Sequence, residues 1–207
     1  MSGRFITFEG GEGAGKSTQL ALLAERLRAA GNKVVTTREP GGSKGAEDIR
    51  GLLVQGDVDR WDAVTEALLH TAARRDHLVK TVWPAMAEGA WVLCDRFADS
   101  TIAYQGYGHG FPIETISALT RIAVGDFAPD LTLVLDLPVE AGLARAGGRG
   151  GAEDRYERMG EAFHRRLRQG FLAIAAAEPG RCVVIDANRS VAEVQAAIVA
   201  AVDERLG

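Results

Sequence analysis

Cysteine is scarce in this sequence: Cys94 and Cys182 are the only two among 207 residues, each inside an apolar run and far from the other. That argues against a disulfide framework or a thiolate zinc site, and it predicts buried thiols in a reducing compartment, with the cytoplasm as the default. No stretch approaches the roughly 18 consecutive apolar residues of a membrane span. Residues 1–4 lead straight into an apolar strand pattern, so neither a signal peptide nor a membrane partner is expected. An excess of positive charge is missing too. With 24 Lys and Arg against 28 Asp and Glu the net charge is −4, which disfavours nucleic acid as a partner. No internal repeat or low-complexity tract is evident.

The length fits one α/β domain across residues 1–207, large enough for a real core. Apolar runs alternate with helical patterns along the chain, which predicts a parallel sheet with helices on both faces and strands near 5–8, 33–37, 91–94, 131–137 and 182–185. The first helix carries Leu20, Leu23, Ala24 and Leu27 on one face and stops at Gly31-Asn32; the last carries Val191, Val194, Ile198 and Val202 behind Ser190 as N-cap. A long helical stretch over 62–88 is expected to kink or break at Pro84.

Gly10-Gly11-Glu12-Gly13-Ala14-Gly15-Lys16-Ser17 matches the phosphate-binding pattern G-x-x-x-x-G-K-[ST] without a mismatch, between a strand pattern and a helical one. Glycines there let backbone N–H groups turn on an anion, the helix start adds its positive end, Lys16 adds charge for the outer phosphates, and Ser17 is the expected Mg²⁺ ligand, with Thr18 next to it. Two further strands end in charged turns on the same sheet edge. Asp95-Arg96-Phe97 offers an acid to orient Mg²⁺-bound water and an arginine to grip a phosphate. Arg38-Glu39-Pro40-Gly41-Gly42 offers Arg38 for an acceptor phosphate and Glu39 to meet metal-bound water or fix an arginine; a plain turn with a salt bridge is the competing reading. His70 and His77 lie seven residues apart beside Arg74 and Arg75 without further metal-ligand spacing, so zinc is rejected. Asp99-Ser100-Thr101-Ile102-Ala103-Tyr104-Gln105-Gly106 supplies hydroxyls, an amide and an aromatic suited to a nucleobase. The glycine-rich segment around Arg149, flanked by Arg145 and Arg155, reads as a mobile basic lid at about 143–156 that closes over a polyphosphate, against an ordinary surface loop.

Taken together, Phe8-Glu9-Gly10 through Ser17, Thr37-Arg38-Glu39-Pro40-Gly41-Gly42, and Asp95-Arg96-Phe97 with Ser100 through Gly106 resemble the thymidylate kinase family in order and spacing, over essentially the whole chain. The resemblance implies a P-loop nucleoside-monophosphate kinase fold with sheet order 2-3-1-4-5, ATP and dTMP as ligands, Mg²⁺ as cofactor, dTDP as product for DNA precursor synthesis, and a homodimer. It makes Lys16 and Ser17 the ATP-phosphate and Mg²⁺ residues, sets Glu12 near the acceptor sugar 3′-hydroxyl, and gives Arg38 and Arg96 the dTMP phosphate. Arg74 falls on the arginine that meets a thymine carbonyl, Thr101 on a base contact and Tyr104 on the aromatic that crowds a ribose 2′-hydroxyl, with Ser100 and Gln105 nearby. The P-loop holds no arginine, so the catalytic one is expected from the lid, Arg149 first, then Arg145 or Arg155, the last with Asp154 or Glu157 as competing partners. The family commonly has phenylalanine where His70 stands; an imidazole stacks on thymine with less apolar area and is expected to add a pH dependence. Asp186-Ala187-Asn188 resembles the loop that borders adenine. Two rivals stay open: another small-molecule kinase of the same fold, and a nucleotide-dependent switch or DNA-associated ATPase, which the net charge disfavours.

Overall fold

A computed structural model describes residues 3–147 and 155–207. Five strands, β1 (Arg4–Glu9), β2 (Val34–Arg38), β3 (Trp91–Asp95), β4 (Leu131–Asp136) and β5 (Cys182–Asp186), form one parallel sheet in the order β2-β3-β1-β4-β5. Each lies within one residue of its expected position. Near-continuous apolar runs are what a sheet covered on both faces requires.

Alternation along β1 divides the core. Ile6 and Phe8 point to the face covered by α1 (Lys16–Ala29) and α9 (Val191–Leu206), where they meet Leu20, Leu23, Leu27, Val194, Ile198 and Val202. Phe5 points to the other face and packs with Leu78, Val82, Phe97 and Val124. Beside it, Val134 and Cys182 pack on Phe163, Leu167 and Phe171 of α8 (Glu161–Ala177). Each such large apolar side chain contributes about 1.5–3 kcal/mol by burial. Both cysteines are buried and unpaired. Ser190 caps α9 through a capping box with Glu193, as its position before the apolar pattern predicts.

The remaining helices are α2 (Lys44–Val54), α3 (Ala63–His77), α4 (Trp83–Ala87), α5 (Ala98–Thr101), α6 (Ile113–Val124) and α7 (Val139–Ala146). Asp62 starts α3 by accepting from the backbone N–H groups of Val64 and Thr65. The break expected at Pro84 falls earlier: α3 runs into wide π-type turns over Leu78–Val82, and Pro84 sits in the first turn of α4. Proline lacks an N–H and its ring crowds the carbonyl four residues back, so the helix widens ahead of it and then resumes. A second wide-turn segment, Ile102–Gly108, continues α5 and carries Tyr104 and Gln105. No helix among the described residues is long and apolar enough to cross a membrane.

Candidate active site

The parallel register brings three loops to one edge. Asp95 of β3 is paired with both Phe8 of β1 and Arg38 of β2, so the P-loop, the Arg38-Glu39 turn and the Asp95-Arg96 turn leave the sheet side by side. Ligands of open parallel sheets bind outside these carboxyl ends. Helix α1 begins at Lys16 directly after the left-handed Gly15, and the Lys16 ammonium folds back onto the carbonyls of Gly10 (3.2 Å) and Gly11 (2.9 Å). Burial, reinforced by the Arg96 charge, pulls the Lys16 pKa below the usual ammonium range. An anion delivered to the loop relieves both penalties. Ser17 Oγ donates to Asp95 Oδ2 at 2.7 Å. Glu12, Gly13, Ala14, Gly15, Lys16, Ser17, Thr18, Arg38 and Asp95 line a cavity of about 400 Å³.

A second cavity, about 130 Å³, shares Glu12, Glu39, Arg50 and Arg96 with the first. Arg96 stands at their junction in a left-handed conformation (φ 73°), the only non-glycine residue with positive φ among the described residues. Its guanidinium donates to Gly10 O (3.0 Å), Ser100 Oγ (3.2 Å) and Glu12 Oε1 (2.9 Å), and lies 5.0 Å from the Tyr104 ring centre. Tyr104 adds an O–H bond to the same Glu12 oxygen at 2.5 Å. Burial works against the Glu12 carboxylate, but Arg96 and Lys16 outweigh it and bring the pKa to about 2. Beneath this cluster the fully buried Glu9 accepts from the Phe97 N–H (2.7 Å) and Ser100 Oγ (2.6 Å), fixing the turn that carries Arg96.

Arg74 is held by three groups: Nε donates to Glu39 (2.8 Å), and Nη2 to the Phe97 carbonyl (3.1 Å) and Thr101 Oγ1 (3.0 Å). Glu39 also meets His77 Nδ1 at 2.9 Å, so it anchors the arginine, one of the two roles read from its turn. The peptide bond before Pro40 is cis. Arg74 Nη1 is left with no hydrogen-bond partner among the described residues, and Gln105 Oε1 is likewise unpartnered; both side chains line the second cavity and are buried. His70 lines it as well, with Nε2 3.1 Å from the Tyr156 hydroxyl. Burial first, then Arg74 and Arg96, drives the His70 pKa down to about 3, below the range in which the expected pH dependence would show. The acceptor kcat/KM profiles of the natural protein and of His70→Phe should run parallel between about pH 6 and pH 8; a histidine step present only in the former would refute this.

The three arginines expected from the lid part company. Arg149 lies outside the described residues. Arg145 ends α7 with Nη1 3.5 Å from the Ala187 carbonyl, beside the Asp186-Ala187-Asn188 loop rather than at the P-loop. Arg155 requires a correction: it is fully buried, donating to the carbonyls of Leu53 (3.2 Å), Asp57 (2.8 Å) and Val58 (2.9 Å) and paired with Glu66, while Asp154, one of the partners expected for it, lies outside the described residues. Those bonds commit most of its donors and leave it a structural part here. Arg38 pairs with Glu47 at 3.0 Å and stays half-exposed on the phosphate cavity. Sequence reasoning missed Arg50, which lines both cavities and donates to the Pro40 carbonyl at 2.8 Å, along with Tyr156 and Glu66. An aromatic and an acid directly after the glycine-rich segment, Tyr156-Glu157, were the available signal.

The P-loop meets α7 backbone to backbone. A Cβ on Gly13, whose φ is 69°, would lie 2.1 Å from the Gly142 carbonyl oxygen, and one on Gly142 would lie 2.5 Å from that of Glu12. Only two glycines admit so close an approach.

A phosphate-cradling loop at the head of α1, a metal-type Ser–Asp pair and an arginine-lined second cavity, all on the carboxyl edge of a 2-3-1-4-5 sheet, define a P-loop nucleoside-monophosphate kinase. The sequence model of the thymidylate kinase family matches residues 8–198. The thymidylate kinase of Caulobacter vibrioides is 60% identical over 205 residues, covering 99% of this chain and 98% of its own length, and that of Gluconobacter oxydans is 55% identical over 207 residues, covering 99% and 96%. The crystal structure of the Ehrlichia chaffeensis thymidylate kinase superposes with a TM-score of 0.78 at 36% identity, covering 98% of this chain and 99% of that one. The chain belongs to the thymidylate kinase family.

Proposed function

We propose that the site transfers the γ-phosphoryl group of ATP to dTMP, giving ADP and dTDP, within one kinase domain whose lid spans about residues 143–156. The orphaned donor and acceptor in the second cavity carry this reading. Arg74 Nη1 can only donate and Gln105 Oε1 can only accept, the complement of a thymine edge with its C4 carbonyl and N3–H. Cytosine presents the reverse pattern and would leave both groups unpaired, a mismatch costing about 1–3 kcal/mol for each group.

The phosphoryl group passes in line: the bond from Pγ to the β-bridging oxygen breaks as one forms to a dTMP phosphate oxygen, so no protein nucleophile is required. Lys16 and the P-loop N–H groups hold the donor, Arg38 and Arg96 hold the acceptor phosphate, and Glu12 receives the sugar 3′-hydroxyl. Tyr104 crowds the 2′ position, while His70 faces the base. Ser17 and Asp95 supply hard oxygen donors of the kind Mg²⁺ takes. These two side chains would hold the ion, which would supply neutralising charge to the donor phosphates. Arg149 is the lid arginine we assign to charge developing on the transferred group, and Arg145 falls to the adenine end. Phosphorylation of dTMP, dUMP, dCMP and UMP assayed side by side tests the reading; any acceptor turned over faster than dTMP overturns the base assignments.

We also assign a homodimer. Val64, Leu68 and Val79 on α3 and the turns that follow it, with Leu52 on α2 and Ile122 on α6, expose apolar side chains on neighbouring helices; Leu68 is 50% and Ile122 78% exposed. Leu68→Glu should shift the sedimenting species to the monomer, whereas an unchanged mass would place any dimer contact elsewhere. Reducing cytoplasm remains our reading of location, consistent with two buried thiols.

A further inference from the structure

Glu66 is a fully buried carboxylate on α3, behind the base cavity, and the groups around it are donors. Arg155, also fully buried, pairs with Oε1. Gln105 Nε2 donates to Oε2 at 2.9 Å, and the Tyr156 hydroxyl approaches the same oxygen at 3.3 Å. His109 Nε2 lies 3.6 Å away. An ion pair buried this deeply is a costly way to fill space that apolar side chains would fill at least as well.

The consequence lies in the amide of Gln105. A carboxylate accepts and never donates, so only the NH₂ end of the amide can face Glu66. The carbonyl end must then turn away, and Oε1 is the buried atom left without a partner among the described residues. We propose that Glu66 fixes the hydrogen-bond polarity of Gln105 and thereby selects an N3–H base over one with a bare N3, making it a specificity-positioning residue that touches no substrate atom. Arg155 takes the other oxygen, Oε1, so both oxygens of Glu66 are engaged by donors. Without Glu66, Gln105 turns either end to the base, and the acceptor requirement is lost. The inference rests on the dTMP-kinase reading and goes one step beyond it.

The test is the ratio of kcat/KM for dTMP to that for dCMP in the natural protein, Glu66→Gln and Glu66→Asp. Glutamine is nearly isosteric but can donate, so the ratio should fall about tenfold or more. Aspartate remains acceptor-only, so its variant should keep most of the ratio even where stability drops. An unchanged ratio in Glu66→Gln, or an equal loss in both variants, would overturn the proposal and reduce Glu66 to packing. Should the variants not fold, the Gln105 side-chain amide of the natural protein, identified as the NMR cross-peak that Gln105→Met removes, gives the answer. Protection from solvent exchange with and without dTMP supports a nitrogen held by Glu66. Fast exchange that stops only when dTMP binds puts the nitrogen in the cavity and overturns it. A natural protein that never phosphorylates dTMP would instead sink the functional reading, which these ratios do not address.

Discussion

Lys16→Met is expected to lower kcat by about 10³-fold while leaving the folded protein as stable as before, or more so. The two effects have one origin. The ammonium is buried against two carbonyls, and burial with the nearby Arg96 lowers its pKa. The folded chain thus holds that proton less tightly than the unfolded one, and the linkage cost is present at neutral pH, below the unfolded pKa, disappearing as pH rises past it. Methionine keeps the length of the side chain and removes the charge, so the cost goes and the melting temperature holds or rises. Donor phosphates lose their closest cation, so transition-state charge is left uncompensated. A variant that melts lower and still turns over at the natural rate would contradict both halves.

Arg96→Lys is expected to be as damaging to catalysis and, in contrast, to damage the fold as well. One ammonium cannot reach Gly10 O, Ser100 and Glu12 together or lie flat on Tyr104, as the planar guanidinium does. Glu12, whose pKa of about 2 depends on that guanidinium after burial has worked against it, is left with a poorer partner. The substitution also keeps the unfavourable left-handed backbone without the bonds that hold it there. We expect kcat/KM for dTMP to fall about 10³-fold with KM for ATP within about threefold, and stability to drop by about 2 kcal/mol. Kinetics with each substrate varied in turn, with a thermal melt, decide it; an ATP KM that rises as steeply as the dTMP KM would move Arg96 to the donor side.

The phosphate edge of the site is legible in the sequence because its parts are local. A glycine-rich loop must follow a strand and precede a helix, and charged residues ending parallel strands must share an edge, so the gathering of Lys16, Ser17, Arg38, Asp95 and Arg96 around one cavity follows from short windows of sequence. The layered sheet is legible for the same reason, since apolar alternation and helical spacing are properties of short windows. What escapes is long-range pairing. Glu66 meets Arg155 across 89 residues and Gln105 across 39, and nothing in the helical pattern around Glu66 marks it as a buried carboxylate rather than a solvated one. Arg155 sits in a run of charge and glycine that reads as mobile, and only the carbonyls of Leu53, Asp57 and Val58 reveal what it holds. The wide turns before Pro84 escape for a different reason: the proline is visible, but which side of it absorbs the mismatch depends on packing.

The seat where the P-loop and α7 meet has a bearing on how this sequence can drift. Neither partner offers a side chain that might shrink to make room for a new methyl group on the other, since each glycine is opposed by main-chain oxygen. Positions 13 and 142 therefore have no compensating pair of substitutions available, and a doubly randomised library selected for growth should return the natural residue at both.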